Sequence, residues 1–126
     1  MTASKTPSHL ARGHSAEQAA CDYLQAQGLA LIERNYRTSH GEIDLIMRDA
    51  GTVVFVEVRF RRSREYGGPA ESVDRRKQAK LRASALQYLQ QHRGAAKRPC
   101  RFDIVALSGG TAGQEQIEWL PNAFGG

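Results

Sequence analysis

The chain has 126 residues, 40% apolar and 25% charged, which suits one soluble globular domain with its own core. These figures exclude a disordered chain, a collagen-like repeat and a disulfide-stapled miniprotein. The formal net charge is +5 and it is concentrated: Arg59 to Arg82 holds nine basic residues against Glu65, Glu71 and Asp74, a local excess of +6. A block of this kind suits a polyanionic partner or a solvated helix face. Nucleic acid is the first candidate partner, because each phosphate contact releases counterions.

No run approaches the ~20 apolar residues of a membrane helix, and the first fifteen residues hold no apolar signal-like segment. The expectation is a cytoplasmic protein without membrane association. Cys21 and Cys100 have no C-x-x-C spacing, and His9, His14, His40 and His92 do not pair at helical spacing. Reduced thiols and no structural zinc follow as expectations.

Residues 1–12 read as a loose polar tail, 13–120 as one domain and 121–126 as a C-terminal tail. Ser15-Ala16-Glu17-Gln18 fits a capping box, opening a helix that Gly28 stops. Leu29–Arg37 reads as a first strand and Glu42–Asp49 as a second, with Ile43, Leu45 and Met47 on one face. Val53–Arg61 is a third, rich in β-branched and aromatic residues. After a polar loop from Arg62 to Pro69, Ser72 can cap a long helix to about His92. Its apolar positions include Val73, Leu81, Ala85, Leu86 and Leu89. Arg101–Leu107 is a fourth strand, Ser108–Gln114 a flexible turn, and Gln116–Leu120 a short edge strand. The order α-β-β-β-α-β-β describes an α/β domain with a mixed sheet flanked by helices.

Two acids interrupt apolar strands. Asp44 lies between Ile43 and Leu45, and Glu57 between Val56 and Val58. A two-residue turn at Ala50-Gly51 sets Asp44 opposite Glu57 and Glu42 opposite Arg59, with all four side chains on one face. Opposed Cβ atoms lie about 4.5–5.5 Å apart, so the two carboxylates repel unless a proton, a cation or a metal ion intervenes. Mg²⁺ suits such a pair, because it takes oxygen ligands and keeps waters and a substrate phosphate. A solvated ion cluster of the pair with Arg59 and Glu42, its charge offset by Arg59, suits it as well. Glu17 fits either a helix-dipole acid or a functional one. Asp103 either shares the acids' face or pairs with an arginine. His40 reads as a loop residue, and Tyr88 and Trp119 as packing residues. Arg61, Arg62 and Arg64 either line a phosphate groove or are ordinary surface charges.

Asp44 followed by Glu57-Val58-Arg59 resembles the PD-(D/E)XK restriction-endonuclease-like superfamily. Gly13-His14-Ser15-Ala16-Glu17 is similar to the G-x-x-x-E motif of its RecB-like branch. GEIDLI at 41–46, VFVEVRFR at 54–61, KQAKL at 77–81 and RFDIVA at 101–106 resemble, more closely, the uncharacterised bacterial YraN-like family, over about residues 12–120. The resemblance implies a restriction-endonuclease-like fold and a metal-dependent nuclease acting on DNA, structured or branched forms included. Asp44 and Glu57 would hold one or two Mg²⁺ or Mn²⁺ ions, with the Val58 carbonyl as a third ligand. Glu17 would orient the attacking water, and Lys77, Gln78 and Lys80 would face the scissile phosphate or its neighbours. Two features depart from the superfamily pattern. Ile43 stands where the signature has proline, and Arg59 replaces the usual lysine. Guanidinium stays protonated at neutral pH, so it can clamp a phosphate but cannot act as a base.

Three readings therefore stand: a Mg²⁺-dependent endonuclease, a nucleic-acid-binding module with a nuclease fold and no turnover, or a protein-interaction domain. The resemblance also implies a homodimer as one form of the first, since many nucleases of this type pair up to cut two strands.

Overall fold

Val53–Val56 and Phe102–Ser108 are buried at every residue. A strand that covers only one side of a core alternates, so an unbroken buried run needs cover on both faces. The computed structural model describes residues 8–61, 73–109 and 116–125. In it, these runs are the parallel neighbours β3 (Thr52–Arg61) and β4 (Cys100–Ser108) at the centre of a five-stranded mixed sheet. β1 (Ala30–Thr38) and β2 (Gly41–Asp49) extend the sheet on one side and β5 (Gln116–Phe124) on the other. The spatial order is β1-β2-β3-β4-β5, and only β3–β4 is parallel.

A parallel pair needs a crossover, and α2 (Arg75–Gln91) supplies it, followed by the short α3 (Arg93–Ala96). α1 (Ser8–Ala26) covers the opposite face. Its Ala16, Ala20, Cys21 and Leu24 pack on Leu45, Val54, Val56 and Val105. On the other face Leu81, Ala85 and Tyr88 of α2, with Val73, pack on Ile46, Phe55, Phe102 and Ile104. The expected mixed sheet flanked by helices is what forms, with α3 as an addition.

Several boundaries move. α1 begins at Ser8, so Ser15 lies inside the helix and caps nothing, and 8–12 belong to the helix instead of a tail. At its other end Gly28 (φ 101°) closes a Schellman motif: Leu29 N–H donates to Leu24 O and Gly28 N–H to Gln25 O, each at 3.0 Å. Asp74 caps α2, its carboxylate accepting from Lys77 N–H at 2.9 Å. The expected cap Ser72 lies outside the described residues. Leu86, expected in the core, is 57% exposed, because Ser84, Ala85 and Tyr88 take the buried positions around it. β5 runs on to Phe124, so 121–124 continue the edge strand expected to end at Leu120. Cys21 is buried, Cys100 exposed, and both are free thiols. No helix among the described residues is long and apolar enough to cross a membrane.

Candidate metal centre

The β2–β3 hairpin turns at Ala50-Gly51, and its rungs run from Asp49↔Thr52 to Leu45↔Val56, the register expected from a two-residue turn. Positive φ falls on Ala50 (54°), the first of the two turn positions. The ladder then opens. Asp44 has no backbone partner on β3, and none on β1, where Asn35 takes the left-handed conformation (φ 50°) between the rungs Arg34↔Leu45 and Tyr36↔Ile43. A break of this kind re-aims side chains. Leu45 and Met47 face the α1 cluster, whereas Ile43 and Tyr36 face the α2 cluster. The expected single face for Ile43, Leu45 and Met47 is therefore not observed.

The opening lets the Asp44 carboxylate take a place in the ladder: its Oδ2 accepts from Val58 N–H at 2.8 Å. Glu57 lies within hydrogen-bonding reach of Asp44 when one of the two carries a proton. The two strand acids thus meet. The full four-residue face does not form. Glu42 pairs with Arg37 Nε at 3.2 Å instead of standing against Arg59, because the ladder between β2 and β3 ends before it. Glu42 instead converges with Asp44 and with Glu17 of α1, one carboxylate oxygen from each lying within 4.8 Å of the others. Glu42, expected on the acids' face but only as a partner of Arg59, is thus a fourth acid of the centre. The available signal was its i−2 spacing from Asp44 on one strand.

Glu57 is 4% exposed. Its Oε2 lies 3.2 Å from Arg59 Nε and 3.6 Å from Lys77 Nζ. The Arg59 Nε–H is not aligned on that oxygen, so the contact is an ion pair and not a directed hydrogen bond, and Nε has no other acceptor among the described residues. Glu57 Oε1 is buried with no donor among the described residues. Burial, and then the charge of Asp44, push the Glu57 carboxyl up to about 7, against the pull of Lys77 and Arg59. Burial also raises Asp44, opposed by the Val58 N–H. Glu17 is pushed to about 7 by burial and by Asp44 and Glu42, with the Asn35 hydrogen bond and Arg34 acting the other way. The convergent oxygens of Glu17, Glu42 and Asp44, with Glu57 beside Asp44, offer an all-oxygen donor set. This set fits a hard divalent cation.

The other expected positions divide. Lys77 reaches the acids, and Lys80 is exposed on α2, its Cβ beside Gly41. Gln78 is occupied: its amide donates to Val73 O at 3.0 Å and its oxygen accepts from Arg82. The Arg61 side chain, Arg62 and Arg64 lie outside the described residues. Asp103 is not part of the centre; it pairs with Arg101, as weighed from the sequence. Trp119 packs on the α1 face and Tyr88 in the α2 core. His40 is an exposed turn residue whose N–H donates to Thr38 Oγ1.

The profile of a protein family described only as uncharacterised, UPF0102, matches residues 16–107. A UPF0102 protein of Nitrosococcus oceani is 48% identical over 95% of this chain and 96% of its own length. UPF0102 proteins of Pseudomonas savastanoi pv. phaseolicola and Pseudomonas putida are 50% and 49% identical, each over 89% of this chain and 91% of its own. These matches bear out the likeness to YraN-like sequences.

Proposed function

We propose that this chain, which belongs to the uncharacterised protein family UPF0102, is a divalent-metal-dependent nuclease that hydrolyses phosphodiester bonds of DNA. The reading takes the sheet and its flanking helices as restriction-endonuclease-like. The observation that carries it is the meeting of Asp44 with Glu57, whose Oε1 is buried without a donor among the described residues. A purely structural carboxylate at such a position has its lone pairs filled.

Asp44 and Glu57 would hold Mg²⁺ or Mn²⁺, with the Val58 carbonyl as a further oxygen. A cation bound there supplies activation of water and polarisation of the phosphoryl oxygen. Glu17, whose carboxyl converges with that of Asp44 and is pushed up to about 7, would orient the attacking water and accept its proton. Arg59 and Lys77, each about a third exposed at the side chain, neutralise Glu57 and present positive charge toward solvent. Arg59 keeps its proton, so its part is to stabilise charge on the phosphoryl oxygens, not to act as a base.

The test is cleavage of single-stranded, duplex and branched DNA in Mg²⁺ or Mn²⁺. Asp44→Asn and Glu57→Gln should each lower the rate at least ~100-fold. Activity that survives both substitutions overturns the assignment. Arg59 at the usual lysine position favours a second reading, binding without turnover. It predicts no cleavage with either metal, and salt-dependent DNA binding weakened by Lys77→Glu and Lys80→Glu.

A further inference from the structure

From Arg75 to Phe102 the chain carries nine basic residues and no acid. A solvated helix face ordinarily mixes signs. The nine fall into two groups at opposite ends of α2. Arg75, Arg76, Lys77, Lys80 and Arg82 lie toward its start, beside the acid centre. Arg93, Lys97, Arg98 and Arg101 lie beyond its end, with only neutral residues between.

The second group leads into the β2–β3 turn, where Arg98 and Arg101 sit. The Arg98 guanidinium lies beside Gly51, 4.0 Å from where a Cβ would stand. Val53 N–H donates to Pro99 O at 2.9 Å, fixing this segment against the hairpin. Arg48 stands opposite Val53, so it shares the face that α2 and α3 cover. Arg48, Arg93, Lys97 and Arg98 are all exposed, and none has an ion-pair partner among the described residues. Asp49, the acid of the turn, is already taken by Arg101 at 3.1 Å. Glu33 is the acid on the same face of β1, opposite Ile46.

We propose that Arg48, Arg93, Lys97 and Arg98 form a second contact for the phosphodiester backbone of duplex DNA, remote from the acid centre, so that the duplex lies along α2. The proposal rests on the nuclease reading and adds where the substrate runs and how long it must be. The 17 residues of α2 span about 25 Å, roughly seven base-pair steps of B-form DNA. A duplex shorter than this engages one end only. A longer one engages both and gains affinity beyond the statistical gain of extra sites.

The experiment is fluorescence anisotropy with labelled DNA hairpins whose duplex stems are about 4, 6, 12 and 20 base pairs, in EDTA at several salt concentrations, so that binding is read without cleavage. Wild type should show a step in affinity between the short and long duplexes. The triple variant Arg93→Glu, Lys97→Glu, Arg98→Glu should lose the step, bind the longest duplex about tenfold or more weakly, and show a log–log salt slope smaller by about 2–3. The glutamine triple at the same positions should show the same change to a lesser degree with an unchanged melting temperature, which separates lost contacts from lost fold. An unchanged step and slope in both triples overturn the proposal and leave the nuclease reading intact, provided wild type cleaves. Wild type that neither binds nor cleaves DNA overturns both. Binding of an acidic protein but not DNA at this face also overturns the proposal.

Discussion

Two carboxylates of this protein are buried almost equally and behave as opposites. Asp103 on β4 is 1% exposed, and four donors fill its oxygens: Arg101 Nε and Nη2, Trp119 Nε1 and the Asn122 N–H, at 2.9–3.2 Å. Glu57 on β3 is 4% exposed, with one oxygen between two imperfectly aligned cations and the other without a donor beside a second carboxyl. Burial alone does not mark a functional acid. What separates the two is saturation: a filled carboxylate locks β4 to β5, and an unfilled one keeps capacity for an incoming proton or cation.

The largest expected effect lies on the filled side. Asp103→Ala strands the Arg101 guanidinium and the Trp119 and Asn122 donors, and should destabilise the fold by about 3–5 kcal/mol in urea denaturation. A loss below ~1 kcal/mol would erase the distinction drawn here.

The unfilled side predicts a pH dependence of opposite sense to ordinary acid denaturation. Glu17 and Glu57 have folded values of about 7, above their ordinary 4.5, so the folded protein binds these protons more tightly than the unfolded chain. Their contribution is complete below about 4.5 and is lost as pH rises through about 7. Metal-free protein should therefore lose denaturation midpoint between pH 5 and 8. Mg²⁺ should restore it at pH 8 and do little at pH 5, where protons already fill the site. A midpoint that rises with pH across this window would contradict the assignment of unfilled acids.

Glu57→Gln removes the buried charge but keeps the shape. It should stabilise metal-free protein at pH 8 by about 1–2 kcal/mol, flatten its pH profile and abolish the Mg²⁺ effect, all read from the same denaturation curves. Stabilisation together with lost cleavage would be the signature of an acid kept for chemistry at a cost in stability.

The smallest effect is local. Ala50 holds φ 54° at the first turn position, where glycine meets no Cβ penalty. Ala50→Gly should add about 0.5–1 kcal/mol by thermal melting and leave cleavage unchanged.

Element order and hairpin register were legible because both depend on short-range rules. Periodicity marks the helices and strands, and a two-residue turn dictates which residues of β2 and β3 oppose. That is why the approach of Asp44 to Glu57 could be read from spacing. The arrival of Glu42 beside Glu17 could not, because it requires the break at Asn35 and Asp44, and asparagine in a strand pattern does not announce a left-handed residue. Ser15 satisfied the capping pattern yet lies inside α1, since a capping box shows where a helix can start and not that it must. The role of Asp103 stayed open for a further reason: two of its four donors come from Trp119 and Asn122, across a strand pairing that no local pattern specifies.

What the order of amino acids determined unaided is the set of elements, the tight β2–β3 hairpin and the placing of two acids in strands that should be apolar. Each is decided within a few residues by side-chain periodicity and turn sterics. Tertiary structure alone decided that β3 and β4 run parallel beneath α2, that Glu17 and Lys77 reach the strand acids from opposite layers, and that one buried carboxylate is filled while another is not. Those outcomes depend on which distant segments meet, and only packing the whole chain around both faces of one sheet settles that.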